Sequence, residues 1–176
     1  MKLYIGVGAG PIHPYHRQFI DETWIKIDKF VDAPDVVKMD ARNLEYPENS
    51  VEAIYASHLL EHIPTRDIYS TLRNWYFVLR VGGTLRINVP DMEWCARQLI
   101  RLSEGKQTES PAYPSASRII DIIYGSQEGE PEYHQTGFTK MTLHEALADA
   151  GFKNIKITQE YEAHEMGCLI ATCDKS

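Results

Sequence analysis

The chain has 176 residues, 43% of them hydrophobic, which suits a single domain spanning 1–176 that buries about 70% of the surface its unfolded form exposes. A net charge of −7 and a pI near 5.5 exclude the broadly basic face of a nucleic-acid binder, so no nucleic-acid partner is expected. No run reaches the roughly 18 apolar residues of a membrane span, and the apolar start is too short and glycine-broken for export, so no membrane partner and a cytoplasmic location are expected.

In chain order, Lys2-Leu3-Tyr4-Ile5 reads as a buried strand running into Gly6-Val7-Gly8-Ala9-Gly10-Pro11. Glycine there permits positive φ and removes the Cβ, so backbone can lie close beneath a flat ligand. A second strand, Trp24-Ile25-Lys26-Ile27, ends at Asp28, about 20 residues after Gly6, where an acid is placed to accept hydrogen bonds from ribose hydroxyls. Dinucleotides and S-adenosylmethionine both use this pair of features. A dinucleotide site adds a third glycine and a helix N-terminus to hold pyrophosphate. Pro11 stands at that third position and Pro14 follows, which is poor helix material, so a phosphate-free donor, S-adenosylmethionine, fits better.

Residues 35–40 form a third short strand ending in Asp40, residues 48–50 a turn, and residues 51–57 a fourth strand. A helix starts at Pro64 and carries Ile68, Leu72, Trp75, Tyr76 and Leu79 on one face. Val81-Gly82-Gly83 is expected to end it, before a strand over 84–89 stopped by Pro90. Asp91 caps a helix to about residue 103. A polar loop over 105–114, an apolar helix over 119–124 and a loop over 125–137 follow. Thr142 as N-cap, with Glu145 in a capping box, opens a helix that Gly151 stops. Strands over 153–160 and 167–172 close the chain. Strands alternating with helices predict a mostly parallel sheet with helices on both faces. Cys95, Cys168 and Cys173 are irregularly spaced and read as reduced thiols packed as small hydrophobes.

The run Tyr55-Ala56-Ser57-His58-Leu59-Leu60-Glu61-His62-Ile63, with Leu79-Arg80-Val81-Gly82-Gly83-Thr84-Leu85 and Val89-Pro90-Asp91, resembles the small class I S-adenosylmethionine-dependent methyltransferases. His134-Gln135-Thr136-Gly137-Phe138-Thr139 and Ala150-Gly151-Phe152 are similar to that family's last third. The resemblance implies a doubly wound, Rossmann-like α/β sheet of seven strands, order 3-2-1-4-5-7-6, strand 7 antiparallel, with the donor across the switch point. It also implies that Gly6 and Gly8 pass under the donor's methionine part and that Asp28 holds the ribose. Asp40 would reach the adenine amino group with Ala41 beside it, and Ser57, His58 and Leu59 would line the sulfonium side. Two departures are visible: Tyr4 stands where the family often has an acid, and the helix usually following the glycines is a proline-containing loop.

His58-Leu59-Leu60-Glu61-His62 also matches H-x-x-E-H, the inverted zinc-peptidase pattern. That chemistry needs both imidazoles one turn apart on a stable helix plus a distant third ligand. A strand precedes these residues and Pro64 follows, so the helix is not expected and no metal is assigned. For catalysis, a general base is needed only if the acceptor is protonated, and His62 and His134 are the candidates. The expected function is methyl transfer from S-adenosylmethionine to a small-molecule acceptor. The alternative is a catalytically silent binding module of the same fold. Acceptor contacts would come from the loops over 11–23, 105–117 and 125–138, or from a second subunit in a homodimer.

Overall fold

A computed structural model describes residues 1–6, 16–161 and 167–176. β1 (Lys2–Ile5) takes the inner position of the sheet because Leu3, Tyr4 and Ile5 are all buried, leaving it no solvent face. It pairs in parallel with β2 (Trp24–Asp28) on one side and β4 (Val51–Ser57) on the other. β3 (Val36–Lys38) lies outside β2, and β5 (Leu79–Pro90) lies outside β4, both parallel. β7 (Gly167–Asp174) runs antiparallel between β5 and β6 (Lys153–Tyr161). The order is β3-β2-β1-β4-β5-β7-β6, with the predicted antiparallel last strand. Chain progression reverses between β1 and β4, so Gly6, Asp28, His58 and Asp91 all leave the sheet along one carboxyl edge.

α1 (Thr65–Val78) buries Ile68, Leu72 and Trp75 of the predicted stripe together with Val78, while Tyr76 is half-buried and Leu79 begins β5. Each large side chain so buried contributes about 1.5–3 kcal/mol. Trp75 also donates from Nε1 to the carbonyl of Ala41 at 2.7 Å, tying the helix to the turn beyond β3. α4 (Lys140–Ala150) packs on α1, and the Tyr76 ring meets Phe152 edge-on at 5.3 Å. α2 (Met92–Ser103) and α3 (Ala116–Tyr124) share a separate cluster of Trp94, Cys95, Ile119, Ile122 and Cys168. The three cysteines are buried thiols outside any disulfide, and burial pushes Cys95 and Cys173 up to about 12. As predicted, Asp91 caps α2, accepting from the Glu93 amide at 2.9 Å.

Two local expectations are corrected. β5 starts at Leu79, directly after α1, rather than at Thr84. Gly82 donates to the Lys175 carbonyl at 2.6 Å and Lys175 to the Gly83 carbonyl at 3.0 Å, so pairing with the chain end absorbs the expected stop. The N-cap of α4 is Thr139, not Thr142. Its hydroxyl accepts from the Thr142 amide at 3.2 Å, and the Thr142 hydroxyl accepts from the Thr139 amide at 3.0 Å, a reciprocal box that needs no Glu145. Among the described residues, the connections from β1 to β4 hold only a short 3-10 turn (His16–Gln18) and no α-helix. Gly8, Gly10 and Pro11 lie outside the described residues. No helix among the described residues is long and apolar enough to cross a membrane.

Candidate functional site

Gly6 closes β1 at φ +74°, a conformation that costs any residue with a Cβ. Its amide donates to the Ile27 carbonyl at 2.9 Å, and a Cβ there would stand 2.9 Å from Leu59 Cβ. The glycine therefore lets the first turn lie against both the end of β2 and the segment after β4. That brings Gly6, Asp28 and Leu59 together. The Asp28 carboxylate accepts from the amides of Phe30 (2.8 Å) and Val31 (3.2 Å), an Asx-type turn that fixes it at the strand end. Met39 donates to the Asp28 carbonyl at 3.1 Å, which places Asp40 and Ala41 one strand further out. Asp40 is held by its neighbour Arg42, at 3.1 Å from Nε and 2.6 Å from NH2, and by Lys29 at 3.3 Å. The Arg42 hydrogen bond, helped by Lys29 and opposed by burial, holds this carboxyl well below the usual carboxylate range. Ser57 is buried at the end of β4, and its hydroxyl has no partner among the described residues.

His58 adopts φ +49° as the chain leaves β4, with its amide bonded to the Asn88 carbonyl at 2.9 Å. Residues Leu60–His62 then form a single 3-10 turn before α1. His58 and His62 consequently do not sit one turn apart on an α-helix, and the inverted zinc-peptidase geometry is not formed. His58 Nδ1 instead meets Glu61 Oε1 at 3.2 Å, and its Nε2 lies 4.0 Å from Cys168 Sγ.

The loop after α3 closes onto this turn. Gly125, at φ +77°, permits it: a Cβ there would stand 1.8 Å from the Glu132 carbonyl oxygen. Past that contact, the His134 amide bonds the Tyr124 carbonyl at 3.0 Å. Gln135 and Thr136 donate their amides to the Glu61 carbonyl at 2.7 and 3.0 Å. The Gln135 side chain reaches the His62 carbonyl at 2.9 Å, and the Thr136 hydroxyl the Ile63 carbonyl at 2.7 Å. The result brings the two predicted histidines together, His62 and His134, with ring centroids 4.7 Å apart and planes at 86°.

Glu61 sits beneath them, its side chain 1% exposed. Burial pushes its carboxyl up, but the hydrogen bond and charge of His58, with the charge of His62, outweigh burial and hold it below its ordinary value. Burial, joined by the charges of His62 and His58 against that of Glu61, pushes His134 down. The sequence noted Glu61 only inside a motif and did not single out Gly125, Gln135 or Thr136. Their roles depend on contacts between segments some seventy residues apart, for which no local pattern exists.

A separate cavity of about 430 Å³, lined among others by Phe19, Trp24, Tyr55, Arg86, Lys156 and Asp174, contains none of the predicted site residues.

Residues 3–87 match the family model of a methyltransferase domain. Among solved structures, a SAM-dependent methyltransferase from Archaeoglobus fulgidus is similar at TM-score 0.62 and 16% identity, covering 99% of this chain and 85% of that one. A 1,6-didemethyltoxoflavin-N1-methyltransferase from Burkholderia thailandensis, with bound S-adenosylhomocysteine, is similar at TM-score 0.63 and 15% identity, covering 99% and 70%. A possible histamine N-methyltransferase from Thermotoga maritima is similar at TM-score 0.62 and 16% identity, covering 99% and 81%. No curated protein matches the chain at a significant level.

Proposed function

We propose, from the fold and from the match of residues 3–87 to a methyltransferase-domain model, that this chain is a class I S-adenosylmethionine-dependent methyltransferase and methylates a small-molecule acceptor held between the carboxyl edge of the sheet and the loop over 125–138. The observation that carries the reading is Gly6 at φ +74°, hydrogen-bonded to Ile27 and adjoining Asp28 at the switch point between β1 and β4. This is the close-approach turn and acid that an adenosyl ligand needs, and the residues present fit it.

S-adenosylmethionine supplies an activated methyl group on a sulfonium. In this reading Gly6 and Gly8 run beneath the methionine part, and Asp28 accepts from the ribose hydroxyls. Asp40 and Ala41 border the adenine, and Ser57, His58 and Leu59 line the sulfonium side. Transfer is an in-line displacement whose rate comes largely from holding nucleophile and methyl aligned and dry. The turn at Leu60–His62 and the loop bonded to it by Gln135 and Thr136 give a rigid acceptor side, with His62 and His134 as the groups that meet the acceptor.

Calorimetry with S-adenosylhomocysteine tests the donor assignment. One site per chain is expected, weakened tenfold or more in Asp28→Ala through loss of charge-assisted hydrogen bonds. No binding heat from folded protein overturns the reading. Tyr4 favours a second one, a catalytically silent binding module. Where relatives often carry an acid, Tyr4 is buried and stacked on Tyr55 at 5.4 Å, a packing role. Donor binding without turnover over a broad acceptor panel would select that reading.

A further inference from the structure

Glu61, His62 and His134 each offer one ligand atom, and the three atoms lie within 4.8 Å of one another. Glu61 is the member that most needs explaining. Its side chain is 1% exposed, Oε1 is bonded to His58, and Oε2 has no hydrogen-bond partner among the described residues. Leaving such an oxygen unsatisfied away from water is costly, more so for a charged group. Both imidazoles are already oriented. His134 Nδ1 lies 2.7 Å from the Ile122 carbonyl oxygen and His62 Nδ1 3.2 Å from that of Tyr133. A carbonyl only accepts, so each Nδ1 carries a proton and donates, and in the neutral ring the lone pair is on Nε2. This is the outer arrangement that fixes metal-bound histidines, and His58 on Oε1 does the same for the carboxylate.

We propose that Glu61, His62 and His134 form a zinc site with an open coordination position. Two imidazoles and one carboxylate suit zinc and its first-row neighbours rather than calcium or magnesium, which take oxygen ligands. Three protein ligands, not four, mark a site that keeps room for an exogenous group. Bonds of about 2.0–2.1 Å require the ligand atoms to draw in by roughly an ångström, within reach of side-chain torsions. The pattern H-x-x-E-H is thus used in an unexpected way. His62 and Glu61 ligate, the distant ligand is His134, and His58 is the positioning residue behind Glu61.

Resting on the methyltransferase reading, the open position takes an acceptor hydroxyl. The hydroxyl proton leaves to solvent, the oxygen–methyl bond forms as the sulfur–methyl bond breaks, and the donor leaves as the neutral thioether.

The test uses the full chain, stripped of metal, titrated with zinc against a chromophoric chelator and with cobalt(II) by visible absorption. One equivalent is expected, with the d–d bands of a four- or five-coordinate site. His134→Ala and Glu61→Gln should each weaken zinc tenfold or more. His144→Ala, which removes an exposed histidine on α4, should leave affinity unchanged. Circular dichroism and S-adenosylhomocysteine calorimetry on each variant report folding, and His134→Ala alone decides the matter if Glu61→Gln does not fold. Absence of stoichiometric binding, or binding that survives His134→Ala, overturns the site. Retained S-adenosylhomocysteine binding in that case leaves the donor assignment standing, whereas zinc binding without donor binding sinks the methyltransferase reading and not the metal site.

Discussion

Asp40 and Glu61 each follow a parallel strand of the same sheet and face the same edge, yet their surroundings differ in kind. The Asp40 side chain is 31% exposed and meets Arg42 and Lys29 in solvent-accessible ion pairs. Asp28, one strand inward, is likewise satisfied by amides of its own turn. The Glu61 side chain is 1% exposed, pairs on one oxygen with His58 and leaves the other without a partner. Water can exchange with partners in the first region, so a ligand displaces them at little cost. The second region has no such exchange, and an unfilled valence there calls for a resident group. In the proposed reading, the acids after β2 and β3 receive something that comes and goes, and the Glu–His cluster keeps something.

If the two regions are separable, breaking one should leave the other working. The largest effect is expected from Gly125→Ala. The new Cβ would lie 1.8 Å from the Glu132 carbonyl, at φ +77°, so the loop carrying His134 must shift. A stability loss of about 3 kcal/mol by urea denaturation is expected, the sum of backbone strain and overpacking. Zinc affinity should fall at least tenfold while S-adenosylhomocysteine affinity falls by less, because Gly6, Asp28 and Asp40 are not displaced. An equal loss at both ligands would show one coupled site instead of two.

Gly6→Ala is the converse. Its φ of +74° and the 2.9 Å approach to Leu59 Cβ and Cδ1 predict a loss of about 2 kcal/mol. Here donor affinity should drop tenfold or more and zinc affinity should hold. Because the Leu59 side chain stands 2.9 Å away, the effect is placed below that of Gly125→Ala, where the obstacle is backbone at 1.8 Å.

The donor side was the more legible region because its determinants are local. Gly6 and Asp28 end adjacent strands, and the spacing that predicted the pair is the length of one strand-to-strand connection. The sheet order came with the resemblance of residues 55–63 and 79–91 and is present strand for strand. The α4 cap was misplaced by three residues, since Thr139 and Thr142 are equally good caps by type and only the direction of their hydrogen bonds distinguishes them. The cluster was half legible. His62 and His134 were each named, but for separate reasons. What joins them is the bonding of Gln135 and Thr136 to the turn at residues 61–63, which two polar residues in a loop do not announce. The motif at residues 58–62 does not take up its helical pairing, because His58 takes a positive φ and turns toward Glu61.

The smallest effect sharpens the contrast most cheaply. The Asp40 carboxyl is held low by the Arg42 hydrogen bond, with Lys29 contributing. A group depressed in the folded state adds stability above its unfolded value, near 3.9, and loses that contribution as pH falls toward the folded value. Wild type should therefore exceed Asp40→Asn in Tm from pH 7 to about pH 5, with the gap closing below about pH 4. The gap corresponds to at most about 1 kcal/mol, since exposed pairs are screened, and 0.5 M salt should shrink it further. Donor affinity should change by no more than about fivefold, the equivalent of that same energy. A gap that persists in high salt would mean the Arg42 pair is structural and shielded, and the donor side would then resemble the buried cluster rather than contrast with it.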